Sequence, residues 1–214
     1  MTSIANMKRL FPACCILLAA TSAGAAQPSF DCGRAAAGVE AMLCQDEQLA
    51  SLDRELDRLY RLARDGSHAT ADRRDELKAT QSRWLDRRDA CGEGPAQRWC
   101  LRDLYANRIA ELRVYYADAR SEDALGISRG PLVLACQGFD SLIGLTFVGQ
   151  SQDLALIEWR NTQAYVLGRE RGGPGITYTG GSGDGYAGLW VNGDDAQLLL
   201  ADRPAMDCKI EPPG

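Results

Sequence analysis

From Asp31 to Tyr116 apolar residues recur at steps of three and four. Leu49, Leu52, Leu56, Leu59 and Ala63 fall on one stripe of a helix, which Gly66 and Ser67 bring to an end. Leu77, Trp84 and Cys91 follow at seven-residue steps, with Arg83, Arg87 and Arg88 off the stripe. Gly92-Glu93-Gly94-Pro95 interrupts the pattern. Leu101, Leu104, Tyr105, Ile109, Leu112 and Tyr116 then make a third stripe. The pattern predicts a helical hairpin or small bundle, with a short helical turn around Val39 to Cys44 in front.

Ala119 to Gly130 has no periodicity and reads as a linker. Beyond it the grammar changes. Leu132–Cys136, Leu142–Val148, Leu154–Trp159, Ala164–Leu167, Tyr186–Val191 and Ala196–Ala201 are short apolar or alternating runs, separated by Gly, Asn, Asp and Ser. Seven or eight strands at about ten-residue spacing indicate a small antiparallel barrel or sandwich. The expected fold class is α+β in two separate domains, all-α over 27–118 and all-β over 131–214, joined by a linker at 119–130.

The first residues read as a secretory leader over 1–26. Lys8 and Arg9 precede an apolar run from Leu10 to Ala20, and small residues follow, with cleavage expected after Ala25 or Ala26. Cys14 and Cys15 stand too close to the positive residues to serve as a lipid-anchor cysteine, and no second long apolar run appears. The expected product is periplasmic and soluble, without a membrane span. Export turns the six remaining cysteines, Cys32, Cys44, Cys91, Cys100, Cys136 and Cys208, into a disulfide framework. Zinc is the rival reading, but the spacings are wide and His68 is the sole histidine. Cys136 and Cys208 lie in the first and last strands, so a bond between them would close the sheet. Cys91 and Cys100 flank the Gly-Pro loop. In one continuous helix Cys32 and Cys44 would stand about 18 Å apart, so bridging them requires the chain around Gly33 to Gly38 to fold back. Cross-pairing of Cys32 and Cys44 with Cys91 and Cys100 is the alternative.

Little in the chain suggests catalysis. His68 sits in a polar loop, and the acid pairs Asp46-Glu47, Asp75-Glu76 and Asp194-Asp195 lie in helix faces or turns. The glycine-rich stretches at 171–175 and 180–183 lack the lysine and following helix of a phosphate loop. A net charge of −5 argues against nucleic acid. The expectation is a binding protein, not an enzyme, with no cofactor. From Pro131 onward ten acids stand against five bases, a field suited to capturing a basic protein.

Specific strings add a resemblance. Phe30-Asp31-Cys32, Val39-Glu40, Leu43-Cys44, Leu49 and Leu52-Asp53 resemble the opening of the LprI-type domain. Gln81-x-x-Trp84-Leu85-x-x-Arg88-Asp89-x-Cys91, then Cys100-Leu101 and Tyr105-x-x-Arg108-Ile109-x-x-Leu112, resemble its remainder. This likeness covers about residues 30–113 and is associated with lysozyme inhibition. The second half, about 132–212, resembles the MliC-type inhibitor of c-type lysozyme through Leu134-x-Cys136, Gly175-x-x-Tyr178, Leu189-Trp190-x-x-Gly193-x-x-Ala196 and Cys208. That resemblance implies a small barrel whose first and last strands are disulfide-linked. It also implies a loop with the pattern Ser-x-Ser-Gly-x-x-Tyr that enters the lysozyme cleft, helped by a lysine two residues after the Trp. Here Gly172 and Pro174 stand at the serines and Asn192 at the lysine. The implied partner-binding residues are Gly172, Gly173, Pro174, Gly175, Ile176, Thr177 and Tyr178, with Asn192 beside them. The implied partner is a c-type lysozyme or related basic muramidase. The alternative is an envelope binding or scaffold module that kept the fold for another cell-wall hydrolase or component.

Overall fold

The structure is a computed structural model, and it describes residues 27–34, 38–120, 125–160, 163–172, 175–181 and 185–213. The expected leader and its cleavage points lie outside the described residues. Four helices are followed by eight antiparallel strands. The helices are α1 (Gly38–Gln45), α2 (Glu47–Asp65), α3 (Ala71–Asp89) and α4 (Gln97–Tyr115). The strands are β1 (Ser128–Cys136), β2 (Ile143–Val148), β3 (Leu154–Trp159), β4 (Gln163–Arg169), β5 (Ile176–Gly180), β6 (Ala187–Asn192), β7 (Asp195–Leu200) and β8 (Arg203–Glu211).

Two of the helices begin at side-chain caps. Asp46 caps α2 by accepting from the Leu49 N–H at 3.0 Å, and Thr70 caps α3 by accepting from the Arg73 N–H at 3.3 Å. The expected stripe on α2 is buried in full, as are Leu77 and Trp84 of α3 and Leu101, Tyr105, Ile109 and Leu112 of α4. Several polar groups inside this bundle are paired, as burial demands. Tyr105 donates to Asp53 at 2.8 Å, the Ser29 N–H donates to the same carboxylate at 2.7 Å, and the Trp84 indole donates to the Leu104 carbonyl at 3.1 Å. Arg108 reaches Gln81, Thr80 and Glu111 at 3.1, 3.0 and 2.9 Å. His68 is an exposed loop residue, yet its Nδ1 stands 3.0 Å from Asp118, and that contact ties the α2–α3 turn to the end of the bundle.

Each strand pairs with its sequence neighbour, and β1 pairs with β8, so the sheet closes into an eight-stranded barrel. Side chains alternate inward and outward, as a pleated strand requires. Leu145, Phe147, Ala155, Ile157, Tyr178, Leu189 and Leu198 fill the interior. The six apolar runs match six strands. β5 and β8 were not among those runs: β5 alternates with threonines, and β8 opens on Arg203-Pro204 and carries exposed charges. The stretch expected to be a linker is partly structured, with a 3-10 turn at Ala117–Arg120 and β1 pairing from Ser128.

All three disulfides form in the sequential pairing. Cys32–Cys44 has its Cα atoms 5.8 Å apart, linking the 3-10 turn at Cys32–Arg34 to α1. Cys91–Cys100 bridges the Gly-Pro loop at 5.8 Å, and Cys136–Cys208 joins directly paired residues of the first and last strands.

The helices and the barrel share a dry contact. Val148, Leu154 and Leu156, on the outer face of β2 and β3, are buried in the same cluster as the helical core, and Val166 of β4 packs against it. At its edge the guanidinium of Arg113, fully buried, donates to the Gly130 carbonyl at 2.6 Å and to Ser128 at 3.3 Å. Ser128 in turn donates to Glu55, which Arg58 grips at 2.8 and 2.9 Å.

Candidate functional site

Much of the LprI-type pattern points inward, including Leu43, Leu49, Leu52, Asp53, Trp84, Leu101, Tyr105, Arg108, Ile109 and Leu112. Asp53, Trp84, Tyr105 and Arg108 hold the bundle together, and the four helical cysteines staple it. They form a structural scaffold.

The loop between β4 and β5 is held from both sides. Arg169 pairs with Tyr178, and the Glu170 N–H donates to the Thr177 carbonyl at 2.8 Å. The Glu170 carboxylate also accepts from the Thr179 hydroxyl. Gly172 and Gly175 are exposed, while Gly173 and Pro174 lie outside the described residues. Gly175 has φ +79°, and a Cβ built there would fall 2.4 Å from Nε1 of Trp190. Glycine is therefore required twice, once by the backbone and once by the indole beneath it. Gly172, at φ +106°, is also in glycine territory.

Ile176 is half-buried against the barrel interior and Thr177 half-buried on the outside. Tyr178 is wholly buried inside the barrel, 5.7 Å from the Phe147 ring, and burial pushes its phenol up to about 12. Its side chain anchors β5 and does not reach the surface. Trp190 points outward, half-buried, under the loop. Asn192 is exposed at the β6–β7 turn, opposite Asp195. Asp195 pairs in turn with Lys209, whose ammonium lies 2.5 Å from its carboxylate and is held protonated by it. A lysine thus occurs two strands from Asn192, already engaged.

A feature the periodicity did not single out lies against this loop. Arg98, Trp99 and Arg102 of α4 face residues Gly168 to Gly172 across a groove of about 1000 Å³. Trp99 is 53% exposed, off the buried stripe. The guanidiniums of Arg98 and Arg102 sit 5.1 and 4.7 Å from its ring centre. The available signal was a tryptophan between arginines on the polar side of an amphipathic helix. Among the described residues no group of three or more His, Cys, Asp or Glu is placed to hold a metal, and no helix is long and apolar enough to cross a membrane.

Likeness to known proteins agrees with a binding role. Residues 32–112 match the family model described as lysozyme inhibitor LprI. The chain is also 29% identical over 159 residues to proteins named Lipoprotein LprI from Mycobacterium bovis and Mycobacterium tuberculosis, covering 74% of this chain and 74% of each relative. That stretch is longer than everything before residue 113, so the likeness runs on into the barrel half. No solved structure matches the chain.

Proposed function

We propose that this protein is a lysozyme-inhibitor-like binding protein of the bacterial envelope, which acts by occupying the cleft of a c-type lysozyme or related muramidase. The observation that carries the reading is the match of residues 32–112 to the lysozyme-inhibitor family, on a chain whose likeness to lipoproteins of that name extends beyond the helices. The leader-like start and the disulfides suit an exported, periplasmic protein. In this reading the described ends of the β4–β5 loop, Gly172 and Gly175, with Tyr178 as internal anchor and Asn192 nearby, form the edge that meets the cleft, as the MliC-type resemblance implies. Occupation needs no catalytic group. It needs donors for the cleft carboxylates, for which the exposed Asn192 amide is available.

The test is lysozyme turnover of a cell-wall suspension with and without the purified mature chain. Dose-dependent inhibition is expected. Asn192→Lys should strengthen it about tenfold, equivalent to about 1.4 kcal/mol, and the gain should shrink in high salt. Full lysozyme activity under excess protein defeats the proposal. One observation favours a second reading, an envelope module for another cell-wall hydrolase: the lysine position is Asn192, and nearby Lys209 is tied to Asp195.

A further inference from the structure

We infer that the groove between α4 and the β4–β5 connection grips carboxylates presented by the protein partner, so that the helical half takes part in recognition; this rests on the lysozyme-inhibitor reading above. Donor content is the first ground. The groove is lined by Arg98, Arg102, Arg169 and Arg171. Asp153 and Glu170 on its walls, with Asp46 and Asp103 paired to the first two arginines, balance their charge, so what converges there is a set of guanidinium N–H groups and not a net positive field.

Preorganisation is the second ground. Arg98 is fixed by Asp46 at 2.5 Å and Gln48 at 2.9 Å, and Arg102 by Asp103 at 2.7 Å, with both guanidiniums against the Trp99 ring. Held in this way, each loses little freedom when its remaining N–H edge meets a carboxylate. Arg171 has no ion partner among the described residues and is exposed on the opposite lip. A half-exposed tryptophan among arginines is also the composition of an energetic centre in protein interfaces.

Position is the third ground. Gly172 and Gly175 line the same groove, so a partner that met the loop would meet α4 as well. A glycosidase cleft displays paired carboxylates, the complement of this lining. A neutral glycan would need the open face of Trp99, which the guanidiniums already engage. The groove therefore supplies guanidinium donors where Asn192 offers only a neutral amide.

The experiment compares Trp99→Ala and Arg171→Glu with the parent, and uses Arg203→Glu, at the opposite end of the barrel, as control. Each groove variant should weaken c-type lysozyme inhibition about tenfold, with unchanged far-UV circular dichroism, while the control stays at parent strength. A parent that inhibits, with both groove variants inhibiting equally well, overturns the inference and leaves the proposed function standing. If the parent does not inhibit, the proposed function fails, and the groove is judged by anisotropy of a labelled hexaglutamate peptide. Binding to the parent that both variants lose supports the groove. Absent or unchanged binding overturns it, as does preference for an acidic oligosaccharide over the peptide.

Discussion

Replacing Arg113 with methionine tests how the two halves are held together. The side chain is fully buried and spans them, with its guanidinium on the Gly130 carbonyl at 2.6 Å and on Ser128 at 3.3 Å. Methionine fills similar volume without a donor. It strands the buried Gly130 carbonyl and removes the guanidinium that donates to Ser128, itself the donor to Glu55. Hydrogen bonds from a charged group are worth about 1.5–3 kcal/mol each, and breaking a buried ionic network costs about 3–5 kcal/mol. A loss of about 3–5 kcal/mol is therefore expected, a fall in Tm of roughly 6–20 °C for a chain of this size. Thermal unfolding followed at 222 nm, for the helices, and in the near-ultraviolet, for the packed tryptophans, measures it. Because Leu154 and Leu156 are buried against the helical core, the two signals of the parent should fall together. Arg113→Lys keeps the charge but not the forked geometry and should recover part of the loss. A shift below about 2 °C for Arg113→Met would refute the view that this junction is a structural tie.

Gly175→Ala should cost about 1–2 kcal/mol from the left-handed backbone alone. It should also change the near-ultraviolet signal of Trp190, whose indole lies 2.4 Å from the new methyl position, and weaken lysozyme inhibition. Removing the Cys136–Cys208 bond by a double alanine change frees a 72-residue separation and should cost about 4 kcal/mol, read from urea midpoints. The Tyr178 phenol has no hydrogen-bond partner among the described residues, so Tyr178→Phe should be neutral or stabilising and leave inhibition unchanged. Since burial raises this phenol to about 12, its contribution is complete below pH 10 and lost as pH rises through about 12; Tyr178→Phe should lose less stability than the parent over that window.

The sequence by itself determined the elements. Leu49 to Ala63 and Leu101 to Tyr116 could bury one face only as helices, and the alternating runs after Pro131 could only be strands, because side-chain period is a local property of the backbone. Cysteine position within those elements pointed to the Cys136–Cys208 bond, whereas the pairing of Cys32, Cys44, Cys91 and Cys100 stayed open to cross-pairing until the structure placed Cys32 beside Cys44. β5 and the extent of β8 lay outside the apolar runs, although Cys208 marked a last strand, because threonines and exposed charges dilute their alternation, and their pairing with neighbours is a long-range fact. Local pattern also could not separate Tyr178 from Trp190: both are large aromatics in strands, and only barrel closure turns the first inward and leaves the second under the loop. In the same way, nothing local could place Trp99 and its arginines opposite Gly172. Residues seventy positions apart become neighbours only because the outer face of β2 and β3 is apolar and packs on the helices. Burial of that face decides the groove, and burial depends on the whole chain.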